Sequence, residues 1–374
     1  MIYLDNAATG GEKPAAVQSA VRAALKACAN PGRSGHRLSV AQSERVLACR
    51  KLLSELFEGY GFERVAFTKN CTEALNLAIL GVLEKGDHVV TTCLEHNSVL
   101  RPLEALKNAG IVTYDVAPLT DGKLLPESVA ALVKANTRMA IVTSASNVTG
   151  EAPDLKAIKR LLPEKVLLCV DGAQGAGHIP LQMRTVGIDF LTIAGHKGML
   201  AIQGAGALLF SERVDPRPVL YGGTGSESFN PNMPDFYPDR LESGTLSYPA
   251  IVSLFEGALI VKNIRADGAE RLFALTAALH AELAGMKEYR AYFSPNPCGI
   301  ASFAHERIPS EELAEILSDR FDIAVRGGLH CAPLVHKALG TFPDGLVRAS
   351  FSPFQSLRDV NALAYALKRI STSF

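Results

Sequence analysis

Two residues of complementary chemistry, Asp171 and Lys197, each follow a run of apolar residues that predicts a strand. Asp171 comes directly after Val170, and Lys197 comes three residues after Ala194. Pyridoxal 5′-phosphate (PLP) requires such a pair, because the amine forms a Schiff base and the carboxylate keeps the pyridine nitrogen protonated. Taken singly, a surface lysine and a helix-capping aspartate are the simpler interpretations. Together the two residues predict a PLP site.

A candidate phosphate-binding turn and a candidate ring-stacking histidine strengthen that prediction. The turn is Thr68-Lys-Asn-Cys-Thr72-Glu-Ala-Leu-Asn76, which leads from a strand into a helix whose first N–H groups and hydroxyls can hold a phosphate. It is no Walker motif, and alone it reads as a capped helix. His96 follows another predicted strand, where an imidazole can stack on a planar ring. A lone histidine there would otherwise be a hydrogen-bonded loop residue.

The thiol best placed for chemistry is that of Cys331, in Arg326-Gly-Gly-Leu-His330-Cys331-Ala-Pro333. A thiolate is the nucleophilic form, and the neighbouring Arg326 and His330 are cationic groups that favour it. The glycines predict a mobile loop. His330, Cys331 and His336 match no standard metal-site spacing, so we predict no metal site. For the other cysteines, a buried structural role is the simpler interpretation.

The elements that position these residues read as a mainly parallel α/β sheet. Short β-branched runs alternate with helical stretches, as expected of parallel strands joined by crossover helices. Polar residues gather at the C-terminal ends of the runs, where ligands bind in open α/β sheets. The predicted strands are Val65–Thr68, His88–Thr92, Met139–Thr143, Val166–Val170 and Phe190–Ala194, with Gly206–Phe210 as a closing strand.

The remainder of the chain predicts a long loop and a second, smaller α+β domain. From Tyr221 to Tyr248 the chain is rich in Gly, Pro, Ser and Asn, which is typical of a functional loop. Ile251 to Leu283 has helical apolar spacing. We predict three parts: residues 1–14 as an N-terminal segment near the active site, residues 15–255 as the large domain, and residues 256–374 as the small domain that carries Cys331.

The composition limits the classes of partner. Lys plus Arg and Asp plus Glu both total 38, so no net field attracts nucleic acid or an anionic membrane. The most apolar stretch, Ala250 to Ile264, is interrupted by Glu256 and falls short of the roughly 20 residues of a membrane span. The N-terminus lacks signal-peptide features, and seven cysteines, an odd number, argue against a disulfide framework. We expect a cytoplasmic protein whose partner is a small molecule or another protein.

In combination these motifs resemble the class V aminotransferase-fold enzymes, in the cysteine desulfurase and selenocysteine lyase group. The resemblance runs from Tyr3-Leu-Asp-Asn-Ala-Ala-Thr9 to Val347-Arg-Ala-Ser-Phe351, which is essentially the whole chain. It implies the PLP-dependent transferase fold type I, with a large domain on a mainly parallel, seven-stranded-type sheet and a smaller α+β domain. It also implies a homodimer.

The resemblance assigns roles to individual residues. Lys197 is the Schiff-base lysine, Asp171 pairs with the pyridine nitrogen, and His96 stacks on the ring and assists proton transfer. The other cofactor-binding residues that it implies are Asn147 and Gln174 near the ring hydroxyl, Cys71, Thr72 and His196 at the phosphate, and Thr245 reaching the phosphate from the partner subunit. The implied substrate-binding residues are Arg348 on the carboxylate, with Arg326, Asn6 and His36.

One position departs from the pattern of the resembling enzymes. Ala194 stands where many of them have Ser or Thr, so we expect one phosphate hydrogen bond to be missing. A neutral hydrogen bond contributes about 1 kcal/mol, which weakens cofactor retention without abolishing it.

The implied reaction converts L-cysteine to L-alanine, with the sulfur held as a persulfide on Cys331 for an acceptor protein. One alternative is a lyase that acts on L-selenocysteine. Another is a class V aminotransferase, epimerase or lyase in which Cys331 is incidental. A third is a sulfur-relay partner with negligible turnover. The Cys331 segment resembles the branch of the group with a compact catalytic loop.

Overall fold

The computed structural model describes residues 1–26 and 29–372, which form twelve strands and eleven α-helices. The strands are β1 (Ile2–Tyr3), β2 (Val65–Thr68), β3 (Asp87–Thr92), β4 (Val112–Ala117), β5 (Thr137–Thr143), β6 (Leu167–Asp171), β7 (Phe190–Ala194), β8 (Gly206–Phe210), β9 (Tyr289–Ala291), β10 (Ile300–His305), β11 (Ile323–Ala324) and β12 (Val347–Ser350). The helices are α1 (Ala15–Lys26), α2 (Arg37–Leu56), α3 (Cys71–Leu80), α4 (Asn97–Asn108), α5 (Pro126–Ala130), α6 (Leu155–Leu161), α7 (Met183–Val186), α8 (Tyr248–Ala284), α9 (Ser310–Phe321), α10 (Pro333–Leu339) and α11 (Leu357–Ser371).

Seven strands form the large sheet, in the order β2-β8-β7-β6-β5-β3-β4. Strands β4, β3, β5, β6 and β7 pair in parallel, whereas β8 is antiparallel to both of its neighbours. The predicted mainly parallel seven-stranded sheet is therefore confirmed. The sequence did not predict β4, because this edge strand is partly exposed and lacks the continuous apolar run of a strand covered on both faces.

Apolar residues that alternate along each strand supply two separate cores, one on each face of the large sheet. In β2, Val65 and Phe67 pack into one core and Ala66 into the other. Successive side chains of a strand point to opposite faces, so a strand buried on both faces reads as unbroken apolar sequence. This explains why the central strands could be predicted from their apolar runs in the sequence.

The small domain is built on a second sheet, in the order β12-β10-β9, with antiparallel pairing throughout. Its core includes Phe303 from β10, Leu313 from α9 and Leu363 from α11. Helix α11 begins with a capping box, in which Ser356 and Asp359 satisfy each other's backbone N–H groups. The predicted α+β character of this domain is confirmed.

Helix α8 joins the two domains without a break and crosses the boundary predicted at residues 255 and 256. Leu254 and Val261 pack in the core of the large domain, whereas Leu272 and Leu279 pack in that of the small domain. By packing, the change of domain falls between Val261 and Leu272. A continuous helix carries no composition signal at such a boundary.

The N-terminal segment is part of the small domain before it reaches the active site. Strand β1 pairs in parallel with β11, and Leu4 is fully buried in the small-domain core. In the part of the chain that the structure describes, no helix is both long and apolar enough to cross a membrane.

Candidate active site

The carboxyl ends of β6 and β7 meet at a cavity of about 200 Å³. Asp171 is the last residue of β6, and Lys197 lies in the turn after β7. The cavity brings together most of the residues that the sequence predicted. Its wall includes Cys71, Thr72, His96, Asn147, Asp171, Gln174, Ala194, His196, Lys197, Arg326, His330 and Arg348.

Asp171 is a buried carboxylate with one oxygen engaged by the protein and one free. Its Oδ1 accepts the Ala173 N–H at 2.9 Å and lies 3.3 Å from the Cys71 Sγ. Its Oδ2 has no hydrogen-bond partner among the described residues. A buried carboxylate oxygen needs a donor, so Asp171 is set to bind a protonated nitrogen in the cavity.

Lys197 carries an amine with no hydrogen-bond partner among the described residues. Burial lowers its pKa, and the Asp171 carboxylate opposes that shift only in part. Removing water disfavours the charged form, so Lys197 reaches its neutral, nucleophilic form more readily than a surface lysine.

His96 is the N-cap of α4, and the hydrogen bond that makes this cap fixes the tautomer of its ring. Its Nδ1 accepts the Ser98 N–H at 3.0 Å, so the proton of the neutral ring resides on Nε2. Burial lowers the pKa of His96 to about 4, with Asp171 opposing the shift. The Ser98 hydroxyl also lies 2.9 Å from Nδ1 and 2.8 Å from the Thr72 hydroxyl. Ser98 thus links His96 to the start of α3.

The turn before α3 is a helix N-terminus capped by Asn70, whose side chain accepts the Glu73 N–H at 2.9 Å. Thr72 presents an exposed hydroxyl there. The Cys71 side chain is occupied elsewhere, because its Sγ lies against Asp171 and 3.1 Å from the Thr192 hydroxyl. A phosphate contact from Cys71 would therefore use its backbone N–H.

Asn147 and Gln174 each have one polar atom engaged by the cavity wall. The Asn147 side chain donates to the His330 carbonyl at 2.7 Å, and the Gln174 side chain donates to the Ala7 carbonyl at 3.0 Å. Their side-chain oxygens remain free acceptors. His196 is held by the Thr9 hydroxyl at 3.0 Å, and burial lowers its pKa to about 4.

Two arginines lie side by side at the small-domain wall of the cavity. The backbones of Arg326 and Arg348 exchange hydrogen bonds of 3.2 and 2.8 Å. The Arg348 guanidinium is 1% exposed and donates to Asp5 Oδ1 at 2.7 Å and to the Asn147 carbonyl at 3.0 Å. Its Nε–H has no acceptor among the described residues. The Arg326 side chain has no ion-pair or hydrogen-bond partner among the described residues, so it remains free to bind an anion.

Cys331 is exposed and follows His330, which lines the cavity. His330 and Cys331 have φ angles of +53° and +57°, a conformation that is uncommon for residues other than glycine. Four hydrogen bonds hold the loop, and the mobility expected from its glycines stays a prediction. The contacts that pin it are Gly328 N–H to Ser310 Oγ (3.1 Å), Leu346 N–H to the Gly328 carbonyl (3.1 Å), Asn147 to the His330 carbonyl (2.7 Å) and Asn97 N–H to the Cys331 carbonyl (2.8 Å).

His330 does not supply the positive charge that the sequence predicted beside Cys331. Burial, followed by the nearby Arg348, lowers the pKa of His330 to about 2, so the imidazole is neutral. In the part of the chain that the structure describes, neither of its ring nitrogens has a hydrogen-bond partner. The cation near this loop is therefore Arg326.

Three predicted residues are not part of the wall of this cavity within one chain. Asn6 is not free to bind substrate, because its amide nitrogen contacts the Ser350 carbonyl at 2.9 Å and its oxygen accepts the Gly11 N–H at 3.0 Å. His36 is exposed and caps α2 by accepting the Ser39 N–H at 3.2 Å. Thr245 is exposed on the surface of the 221–248 segment.

The sequence did not predict two residues that the structure adds to the site, Asp5 and Ser98. Both lie in segments with recognisable motifs, but their contacts join residues far apart in the chain or depend on a helix cap. Only the spacing of Ser98 after His96, typical of a capping turn, offered a local signal. In the described part of the chain, no group of three or more His, Cys, Asp or Glu residues is arranged to hold a metal ion.

Known proteins resemble this chain over nearly its whole length. The sequence model of the family Aminotransferase class-V matches residues 2–363. A probable cysteine desulfurase of Aeropyrum pernix is 32% identical, with 100% of this chain and 95% of the relative covered. A probable cysteine desulfurase of Methanothermobacter thermautotrophicus is 29% identical, with 99% and 94% covered. The apo structure of a cysteine desulfurase from Thermococcus onnurineus NA1 is similar with a TM-score of 0.91 and 29% identity, covering 100% of this chain and 95% of that chain.

Proposed function

The chain belongs to the class-V aminotransferase family, and we propose that it is a PLP-dependent cysteine desulfurase that transfers sulfur to Cys331. The balanced reaction joins L-cysteine and the Cys331 thiol to give L-alanine and a Cys331 persulfide. The carbon–sulfur bond of the substrate breaks, a sulfur–sulfur bond forms, and the carbon takes up a proton. The observation that carries the proposal is one cavity with Lys197 and Asp171 in its wall, next to the exposed Cys331.

The unpartnered groups of the cavity fit PLP. Asp171 Oδ2 would accept the pyridine N–H, and the buried Lys197 amine would bond the cofactor. The N–H groups of the first turn of α3 and the Thr72 hydroxyl would hold the phosphate. When bound, PLP supplies a carbon that binds the amino group of the substrate and a ring that accepts electrons from its Cα.

Protein side chains carry out the proton transfers and the attack on sulfur. Lys197, as a neutral amine, takes the proton from the substrate Cα and later returns a proton to carbon. His96 carries its proton on Nε2 and is the nearby donor for proton transfer around the sulfur. The thiolate of Cys331 attacks the substrate sulfur, because the thiolate is the nucleophilic form of cysteine. Because Cys331 is exposed, an acceptor protein can approach the resulting persulfide.

We also propose that the enzyme is a homodimer and acts in the cytoplasm. The 221–248 segment exposes Tyr221 and Phe229 at 75% and 105%, and a partner subunit would cover these apolar side chains. Thr245 is exposed on the same segment, and in the resembling enzymes the matching residue reaches the phosphate from the partner subunit. The proposed location rests on the balanced charge of the chain, which attracts neither nucleic acid nor an anionic membrane.

The test compares the wild type with Cys331→Ala on L-cysteine, measuring alanine, sulfide under a reductant, and the added sulfur atom by intact mass. Cys49→Ala, which removes a fully buried thiol, is the matched control. We expect the wild type and the control to make alanine and sulfide in equal amounts, and Cys331→Ala to make neither. Equal turnover by Cys331→Ala would overturn the role of Cys331. A strong preference for L-selenocysteine with no need for Cys331 would point to the lyase instead.

A further inference from the structure

The Arg348 guanidinium is a buried charge with one counterion, the carboxylate of Asp5. The two groups form an ion pair of 2.7 Å, in which the Arg348 side chain is 1% exposed and the Asp5 side chain 21%. Burial lowers the pKa of Arg348, whereas the Asp5 carboxylate raises it. Without Asp5, the hydrogen bond to the neutral Asn147 carbonyl would have to offset the desolvation of this charge by itself.

We propose that Asp5 is a positioning residue that holds the Arg348 guanidinium oriented for the carboxylate of the amino-acid substrate. This inference rests on the proposed function, because it assigns Arg348 to a substrate carboxylate. A guanidinium has five N–H groups, and Asp5 and Asn147 engage two of them. The unpartnered Nε–H shows that the donor set of Arg348 is incomplete without a further acceptor.

The charge balance at this wall indicates the class of ligand. Arg326 and Arg348 bring two positive charges, and Asp5 neutralises one of them. One anionic group is thus needed to balance the pair. An α-amino acid with a single carboxylate, such as cysteine, meets that requirement.

The backbone around Asp5 holds its carboxylate in place. Asp5 forms an isolated parallel bridge with Ser350, two residues after Arg348 in β12. The Ser350 N–H donates to the Leu4 carbonyl at 2.7 Å, and the Ala7 N–H donates to the Ser350 hydroxyl at 2.9 Å. Both partners of the ion pair are therefore fixed by the same strand pairing, which is what a positioning contact requires.

The test measures binding of two ligands to the holoenzyme of the wild type and of Asp5→Asn. L-Alanine carries the carboxylate, and ethylamine is the same amine without it; the change in the visible absorption of the cofactor reports both. We expect Asp5→Asn to weaken the binding of L-alanine by about tenfold or more and to change the binding of ethylamine by no more than about twofold. In the variant, the KM for L-cysteine should rise in parallel with the dissociation constant of L-alanine, while kcat at saturation changes little.

Equal weakening of both ligands would mean a general structural role, and tighter L-alanine binding would mean that Asp5 competes with the substrate; either result overturns the proposal. Asp5→Glu keeps the charge and should recover much of the L-alanine affinity. In an Arg348→Lys background, Asp5→Asn should lose its selective effect. Glu84→Gln, which breaks the exposed pair with Arg217, is the control. If the wild type binds L-alanine but forms no alanine from L-cysteine, the proposed function fails and the role of Asp5 is still tested.

Discussion

The pair of Arg50 and Glu242 is the most fully buried ion pair in the large domain, and its disruption should be costly. Each carboxylate oxygen of Glu242 accepts from the Arg50 guanidinium at 2.6 Å. The side chains are only 7% and 5% exposed. Glu242 also accepts the Phe67 N–H at 2.6 Å, and Arg50 stacks on the Phe67 ring at 4.4 Å. Glu242 therefore ties helix α2 to the edge strand β2.

The substitution Glu242→Gln keeps the shape and removes the charge. One amide oxygen can still accept, but the amide nitrogen would face an Arg50 N–H, and the guanidinium would be left buried without a counterion. Breaking one partner of a buried pair costs about 3–5 kcal/mol. Glu84→Gln, which breaks the exposed pair with Arg217, should cost at most about 1 kcal/mol.

Urea unfolding of the two variants beside the wild type measures the difference. We expect a gap of at least about 2 kcal/mol between Glu242→Gln and Glu84→Gln. A gap below about 1 kcal/mol would refute the reasoning, since it would mean that the buried guanidinium is solvated in the variant.

Two further substitutions test the pH dependence and the Cys331 loop. Burial raises the pKa of Glu95 from its usual 4.5 to about 8, so the unfolded chain loses this proton at a lower pH than the folded chain, and stability falls as pH rises through that window. Glu95→Gln removes this dependence, and its Tm relative to the wild type should increase from pH 5 to pH 8; a constant difference would count against a protonated Glu95. A methyl group on Gly345 would lie 2.3 Å from the backbone of Gly328, at a φ of +70°. Gly345→Ala should therefore displace the Cys331 loop and lower alanine formation about tenfold or more with PLP still bound, whereas Gly340→Ala, with φ +69° and nothing within 4 Å, should not.

The parts of the fold that the sequence predicts are those whose signal is local. The central strands are buried on both faces, so their apolar runs stand out from composition alone. The edge strand β4 was missed because its residues are half exposed, and the domain boundary was misplaced because α8 continues through it. In both cases the outcome depends on which part of the molecule packs against the element. The local sequence does not contain that information.

The same distinction separates the predicted from the unpredicted residues of the site. Lys197 and Asp171 follow strands, so their common edge was predictable from the order of elements. His330 was expected to be a cation, but its burial against Arg348 makes it neutral. A motif gives the residue type, whereas the protonation state depends on burial and on charges brought from elsewhere in the chain.

The position of Cys331 depends on how the two domains dock. Its loop is held on one side by Asn97 and Asn147 of the large domain, and on the other by Ser310 and the backbone of Arg348 in the small domain. Hydrogen bonds of this kind tolerate little displacement before they weaken. A shift between the domains would therefore disturb the contacts that hold both the Cys331 loop and the Arg348 side chain. It follows that the proposed substrate binding at Arg348 and the proposed sulfur transfer to Cys331 are structurally coupled.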